Sequence, residues 1–292
     1  MTRGSFLALL FRRELLGPQL VQADEDTVRD VIHRFNEIGL ACLDPQWPGG
    51  RPRQLGTDDE DFVIQTATTR LRLMSLICGL QSLIEYWADR PGDALFYAQK
   101  GTALAVDLQG TVGLWLLGLQ ARAAAFRGDE ETVQTSNRAA ADRREHVIPD
   151  DLDQLGGLLT YSLEKQRYYA VEASAILGDG NADLTAQAEL AVQGFRDPAN
   201  PNWAFGDLAG AQCNLALIHI HSGDVDGAAE AIRPVLDLPA NFRNNGIVVS
   251  ALRVRQALMT NGVRTALTAR DLREELAVYP PRRPALPGGT QR

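Results

Sequence analysis

The stretch that decides the fold of this chain is Gly223-Asp-Val-Asp-Gly-Ala-Ala-Glu-Ala-Ile-Arg-Pro-Val-Leu-Asp-Leu-Pro239. An apolar helix predicted from about Gly210 leads into it. Gly223 suits a left-handed C-cap that ends this helix, and Asp224 is a good N-cap for a second helix. Apolar residues then recur at helical spacing until Pro239 ends the run. The stretch therefore predicts a hairpin of two helices.

Small residues inside the two helices support the same hairpin. Ala216 lies midway along the first helix and Ala228 lies early in the second, so the two helix axes can approach closely. With its Gly-Asp turn and its final Leu and Pro, the unit resembles a tetratricopeptide repeat. One such hairpin cannot bury its own apolar face, so neighbouring hairpins are expected.

Gly-Asp pairs recur along the chain at intervals of 36, 50 and 45 residues, beginning at Gly92, Gly128, Gly178 and Gly223. Each glycine is predicted to lie at or next to a helix C-terminus. A regular tetratricopeptide unit has about 34 residues, so the array is expected to be irregular. The predicted hairpins are 71–89 with 93–108, 111–127 with 129–144, 151–177 with 183–196, 205–222 with 224–238, and 246–260 with 264–278.

The predicted fold is all-α: an irregular tetratricopeptide-like α-solenoid over residues 71–280, with a small helical segment before it and a Pro-rich disordered tail over 281–292. The repeat region, about residues 72–280, resembles the C-terminal half of a family of actinobacterial regulators, in which an XRE-type helix-turn-helix domain precedes a degenerate tetratricopeptide array. This resemblance implies a transcriptional-regulator type protein. The sequences that carry it are Trp115-Leu-Leu-Gly-Leu-Gln-Ala-Arg-Ala-Ala, 184–195, 210–239, 245–253 and 269–277.

Residues 20–69 resemble the N-terminal region of mariner-like insertion-sequence transposases. A predicted helix, its Gly39-Leu-Ala-Cys-Leu43 tail and the Gly50-Arg-Pro linker follow one another in that family's order. In the family this segment is a helix-turn-helix element, whose recognition helix would correspond to about residues 24–36. The family's catalytic domain has no counterpart after residue 70. Residues 1–70 are therefore interpreted as a transposase-like helix-turn-helix remnant and linker.

DNA binding by this segment is the alternative function. Thr27, Arg29 and Arg34 would face a major groove from the recognition helix. Arg51 and Arg53 would enter a minor groove. However, Gly17-Pro18 falls where the bracing helix should run. Eight arginines and no lysine stand against eleven acidic residues, so residues 1–70 carry a formal charge of −3. Only non-specific affinity for DNA is predicted.

A cluster of aromatic and basic residues marks a candidate partner-binding surface, and its members are Tyr161, Lys165, Arg167, Tyr168 and Tyr169. It falls on the first helix of a predicted hairpin. In tetratricopeptide arrays the first helices line the concave groove, so the cluster would contact a peptide. Ordinary packing between helices is the alternative interpretation.

Catalytic, cofactor-binding and metal-binding residues are not predicted. His219 and His221 are two positions apart and point to different faces of a helix. The acidic run 58–61 is explained by a helix start, and the Gly-rich stretch 178–181 lacks the Lys and the preceding strand of a phosphate-binding motif. The protein is therefore expected to be a non-enzyme that binds a peptide, a protein or a second copy of itself.

Composition limits the partners and the compartment. The formal net charge of −8 opposes bulk attraction to nucleic acid or to an anionic membrane. The three cysteines, Cys42, Cys78 and Cys213, are odd in number and widely spaced, which suits a reducing cytoplasm. No apolar run is long enough for a signal sequence or a membrane span. A cytoplasmic protein without a membrane partner is expected.

Overall fold

The computed structural model of the chain describes residues 57–200, 203–260 and 262–279. By internal contacts the chain divides into two units, Met1–Thr69 and Arg70–Arg292, and the account below concerns the second. The N-terminal helices, the linker and the disordered tail expected from the sequence lie outside the described residues. So do the DNA contacts expected at Thr27, Arg29, Arg34, Arg51 and Arg53.

The described residues form ten α-helices and no strand, so the all-α prediction is confirmed for this part of the chain. The helices are α1 Thr57–Trp87, α2 Pro91–Leu104, α3 Val112–Ala125, α4 Glu130–Arg144, α5 Leu163–Leu177, α6 Ala182–Gly194, α7 Phe205–His221, α8 Val225–Leu236, α9 Asn245–Ala257 and α10 Leu267–Val278. None of the helices in these ranges is both long enough and apolar enough to cross a bilayer.

The helices pack as successive pairs. Helix α3 contacts α4, α5 contacts α6, α7 contacts α8, and α9 contacts α10. We call α1, α3, α5, α7 and α9 the first helices and the others the second helices. The first helices also contact one another in order, α3 with α5, α5 with α7, and α7 with α9. Helix α3 is buried along almost its whole length, as its nearly uninterrupted apolar sequence requires.

The α7–α8 hairpin has the construction predicted from its sequence. Gly223 adopts a left-handed φ of 84°, and the Asp224 carboxylate accepts a hydrogen bond from the Gly227 backbone N–H at 2.9 Å. Ala216 and Ala228 are fully buried, and the two helices contact each other. The predicted turn and cap are therefore confirmed, and the burial of both alanines agrees with the predicted close approach.

Two of the other three Gly-Asp turns match the prediction, and the first does not. Gly128 and Gly178 have left-handed φ values of 68° and 96° at the ends of α3 and α5. Gly92 instead lies in the first turn of α2, which begins at Pro91. Proline suits this position because it lacks the N–H that a first helical turn leaves unpaired. The left-handed residue after α1 is Asp89, with φ 59°.

A helix beginning at residue 151 was a wrong prediction, because α5 starts only at Leu163. The intervening loop contains two short 3₁₀ turns. The Asp153 carboxylate accepts hydrogen bonds from the Thr111 and Asp150 backbone N–H groups, and Asp150 accepts one from Leu152. The glycines at 156 and 157 have positive φ, so helical backbone cannot pass through them. Side-chain carboxylates thus provide hydrogen-bond acceptors for the backbone N–H groups of a loop where a helix was expected.

Candidate functional site

A cavity of about 230 Å³ lies among the first helices. Among the described residues, its wall comes only from α1, α3, α5, α7 and α9 and from the residues just before α5 and α9. No second helix contributes. Each of the five helices supplies at least one lining residue, for example Trp87, Trp115, Tyr169, Asp207 and Ile247 in chain order. The first helices therefore share one cavity, whose wall combines aromatic rings with polar and charged side chains.

One carboxylate joins four of these helices next to the cavity. Glu172 of α5 accepts a hydrogen bond from the Tyr86 hydroxyl of α1 at 2.6 Å. It also contacts Nε of Arg122 from α3 at 2.7 Å and Nη1 of Arg253 from α9 at 3.2 Å. We call Tyr86, Arg122, Glu172 and Arg253 the Glu172 cluster. Because each member comes from a different helix, the cluster forms only when all four helices are in place.

Arg122 and Glu172 are both almost fully buried, each with 1% of its surface exposed. The Arg122 guanidinium lies between two aromatic rings, 4.1 Å from the Tyr86 ring centroid and 4.0 Å from that of Tyr169. Burial opposes the charged form, but Glu172 and the neighbouring tyrosines offset this, so the pKa of Arg122 stays well above its ordinary value. The contact with Glu172 is not aligned as a hydrogen bond, and the Nη1 and Nη2 groups have no hydrogen-bond partner.

A second, looser ion pair lies on the cavity wall. The Lys165 ammonium donates to the Gly157 carbonyl at 3.0 Å and lies 3.8 Å from the Asp207 carboxylate. Burial raises the pKa of Asp207, and the positive charges of Lys165 and Arg122 offset this only in part. The wall therefore contains a carboxylate whose charge is poorly compensated by water and by its neighbours.

The predicted aromatic cluster is mostly buried. Tyr161, Tyr168 and Tyr169 are each less than a tenth exposed, and their rings contact one another edge to face. A Cβ atom added at Gly118 would lie 2.2 Å from the Tyr161 hydroxyl, and one at Gly210 would lie 2.2 Å from that of Tyr168. Only glycine therefore allows these tyrosines to pack against α3 and α7. Burial raises the pKa of all three hydroxyls.

Of the five residues in the predicted partner-binding surface, the structure brings four together. Tyr161, Lys165, Tyr168 and Tyr169 line the cavity, whereas Arg167 is exposed and does not line it. The burial of the tyrosines between helices agrees with the packing interpretation, and contact with a peptide at these residues stays a prediction.

Sequence reasoning missed the Glu172 cluster and Asp207. One signal was available: Arg122 is the only charged residue of α3, and Glu172 interrupts a run of small and apolar residues in α5. A lone charge in such a stretch is expensive to bury unless it is paired. The pattern could have indicated buried charges, but not which residues pair with them.

The histidines at the end of α7 have a local role. His219 Nδ1 lies 2.9 Å from the carboxylate of Asp224, the residue that caps α8. In the part of the chain that the structure describes, no three His, Cys, Asp or Glu residues are grouped to hold a metal ion.

Comparisons with family models, with curated proteins and with solved structures found no match to this chain. The described residues define an all-α fold with one cavity lined by aromatic, polar and charged side chains.

Proposed function

We propose that this protein is a non-catalytic helical-repeat interaction module of the transcriptional-regulator type. In this proposal the hairpins form an irregular tetratricopeptide-like α-solenoid, and the first helices provide the surface that binds a partner. One observation carries the proposal: among the described residues, the first helices and the residues just before them supply the whole wall of the cavity. Repeat proteins characteristically place their binding surface on one set of helices.

The chemistry of the wall supports binding rather than catalysis. In the described residues, neither His nor Cys lines the cavity, and its hydroxyl groups come from Thr160, Ser250 and three tyrosines. Burial raises the pKa of the tyrosine hydroxyls, so they stay protonated. A hydroxyl without a neighbouring base is a weak nucleophile. Aromatic walls with a few polar groups are typical of ligand sites.

We expect a peptide or a segment of a partner protein to be the ligand, with self-association as a further form of the same interaction. The resemblance to XRE-type regulators, whose repeats follow a DNA-binding domain, supports a regulatory role in the cytoplasm. DNA binding through residues 20–53 is the alternative function.

The proposal can be tested with random peptides displayed on phage and selected on the full-length chain. Selected peptides are then synthesised, and their affinity is measured by calorimetry for the wild type and for Gly206→Leu. Gly206 lines the cavity, and a Cβ atom there would contact only Asn244 Nδ2, at 3.5 Å. A larger side chain at this position should therefore occupy the cavity without displacing backbone.

The matched control is Ala186→Leu, which adds the same atoms at an exposed position of α6. We expect Gly206→Leu to weaken peptide binding by about tenfold or more, because the ligand loses buried contacts, and Ala186→Leu to leave it unchanged. Selected peptides that bind both variants equally well would place the binding surface elsewhere and contradict the proposal. Failure to select any peptide would also count against it.

A further inference from the structure

We propose that the cavity binds a carboxylate group attached to a small apolar body, either as a free acid or as the C-terminal residue of a peptide. This inference rests on the proposed function, because it uses the same cavity as the ligand site and adds the chemistry of the ligand. Three properties of the wall support it: its charge balance, its unused hydrogen-bond donors, and the size and character of the space.

The charge balance of the wall is positive. Among the described residues that line the cavity, three are charged at neutral pH, namely Arg122, Lys165 and Asp207. Glu172 lies behind this wall, but it is shared between Arg122 and Arg253 and therefore does not reverse the excess. Because burial disfavours the ionised form of Asp207, this residue balances the cations of the wall only in part, and the remaining positive charge favours an anionic ligand over a neutral or cationic one.

The hydrogen-bond donors of the wall are only partly used. An ammonium group has three donors, and that of Lys165 makes one hydrogen bond, to Gly157, while Asp207 lies beyond hydrogen-bond distance at 3.8 Å. The Nη groups of Arg122 have no hydrogen-bond partner, but they are enclosed by the Tyr86 and Tyr169 rings, so this guanidinium contributes its charge to the site rather than a hydrogen bond. The Asn244 carbonyl oxygen accepts the Ile247 N–H at 3.0 Å, which leaves its amide N–H groups as donors on the wall. A carboxylate can accept from an ammonium and from an amide N–H at the same time, and the bond to the ammonium is charge-assisted.

The volume of the cavity limits the size of the rest of the ligand. At about 230 Å³ the cavity is smaller than the roughly 300–1,000 Å³ of sites for drug-sized molecules. Apolar contacts come from Leu83, Ile247 and the rings of Trp87 and Trp115. The site therefore suits one amino-acid-sized group with an apolar side chain, held by its carboxylate.

The test uses N-acetyl-leucine and its uncharged analogue N-acetyl-leucinamide, titrated into the full-length chain by calorimetry. The pentapeptide Ala-Ala-Ala-Ala-Leu, as free acid and as amide, forms a second pair. We expect each acid to bind about tenfold or more tightly than its amide, since charge-assisted hydrogen bonds are lost in the amide. If the pentapeptide acid binds more tightly than N-acetyl-leucine, the ligand is a peptide C-terminus. If N-acetyl-leucine binds more tightly than the pentapeptide acid, the ligand is a free acid.

Lys165 provides an independent test, because Lys100 and Lys165 are the only lysines in the sequence. Lys165→Met should weaken binding of both acids about threefold to tenfold, through the loss of one charged contact, and should leave the amides unaffected. Lys100 lies on α2, away from the cavity wall, so Lys100→Met is the matched control.

Reductive ¹³C-methylation of the wild-type chain gives a further measurement without any substitution. It keeps the charge of each lysine, and only two lysine signals and that of the N-terminal amine are expected in the NMR spectrum. N-acetyl-leucine should shift the Lys165 signal and leave the Lys100 signal in place.

The outcomes separate this inference from the proposed function. Equal binding of acids and amides, or an unchanged Lys165 signal on addition of N-acetyl-leucine, would overturn the carboxylate inference. If displayed peptides still bind and still depend on Gly206, the proposed function stands while the inference falls. Loss of acid binding in Lys165→Met, with Lys100→Met unchanged, supports both.

Discussion

The Gly-Asp turns and the Glu172 cluster are built in opposite ways. In the α7–α8 hairpin, the cap, the turn glycine and the two buried alanines lie within a single short segment, from Ala216 to Ala228. The Glu172 cluster joins residues as far apart as Tyr86 and Arg253, 167 positions along the chain. The hairpin depends on local backbone preferences and small side chains, whereas the cluster depends on four helices meeting at one point.

The difference affects how each region contributes to stability. Each contact in a Gly-Asp turn contributes modestly to the free energy of unfolding, because a helix cap or a close alanine contact removes little charge from water. In the cluster, the charges are removed from water and are compensated only by one another. Removing a single partner therefore leaves the remaining charge buried. We expect the cluster to be more sensitive to substitution than the turns.

The largest effect is expected for Glu172→Gln. The substitution keeps the shape of the side chain but leaves Arg122 buried without a countercharge, and it should lower the free energy of unfolding by about 3–5 kcal/mol. Urea unfolding followed by circular dichroism measures the loss. Glu189→Gln, at an exposed position of α6, is the control and should change stability by less than about 0.5 kcal/mol.

A double substitution sharpens this test. Arg122→Met with Glu172→Leu removes both members of the buried pair, so we expect it to recover much of the stability lost in Glu172→Gln. A loss below about 1 kcal/mol in Glu172→Gln itself would mean that the cluster is not the sensitive region.

A smaller effect is expected for Ala228→Leu in the α7–α8 hairpin. Ala228 is fully buried between α7 and α8, so three additional carbon atoms should overpack the contact and destabilise the protein by about 1–3 kcal/mol. The same urea titration measures it, with Ala186→Leu on the exposed side of α6 as the control. Unchanged stability would show that the two helices do not approach closely at this residue.

A turn carboxylate and a cavity carboxylate should also contribute to the free energy of unfolding with opposite pH dependence. Hydrogen bonds from the hydroxyl and the backbone N–H of Thr132 lower the pKa of Asp129, the cap of α4. A lowered pKa stabilises the fold above the ordinary aspartate value of about 3.9, and this contribution is lost as the pH falls further. Burial raises the pKa of Asp207 on the cavity wall. Its ionised form therefore opposes folding at neutral pH, and this cost disappears on acidification.

Asp129→Asn and Asp207→Asn test these opposite signs, with urea unfolding of each variant and of the wild type from pH 3 to pH 7. Asp129→Asn should be less stable than the wild type at neutral pH, and the difference should vanish at low pH. Asp207→Asn should be favoured over the wild type at neutral pH and lose this advantage on acidification. The same sign for both variants would contradict the distinction between turn and cavity carboxylates.

The smallest effect is expected for DNA binding by the N-terminal segment, which lies outside the described residues. Its net charge of −3 offers little release of counterions, so the full-length chain should bind duplex DNA only non-specifically, with a Kd on the order of 10⁻⁴–10⁻⁶ M at physiological salt. A fluorescence titration at several salt concentrations measures this. Nanomolar, sequence-selective binding that Arg29→Ala abolishes would instead favour the DNA-binding regulator.

The helical pairs could be predicted from the sequence because their signals are local. The predicted segments 205–222 and 224–238 correspond to Phe205–His221 and Val225–Leu236. Two predictions failed where another local interaction was stronger. Pro91 starts α2 and moves Gly92 into the helix, and the Asp150 and Asp153 carboxylates hold a loop where a helix was expected. The candidate site was only partly predictable. Four of its residues lie close together in sequence, in α5 and just before it, whereas its other residues come from helices far apart in the chain.

What the sequence by itself determined is the helical character of the chain, most helix boundaries and the close α7–α8 contact, because caps, glycine turns and apolar spacing act over a few residues. What only the tertiary structure decided is the partner of each buried charge. Arg122 is the only charge of α3 and Glu172 is the only charge in the C-terminal half of α5, and no neighbouring residue in the sequence indicates Tyr86 or Arg253 as a partner. Their pairing follows from the stacking of α1, α3, α5 and α9, since a buried charge is tolerated only where distant helices bring its countercharge within contact distance.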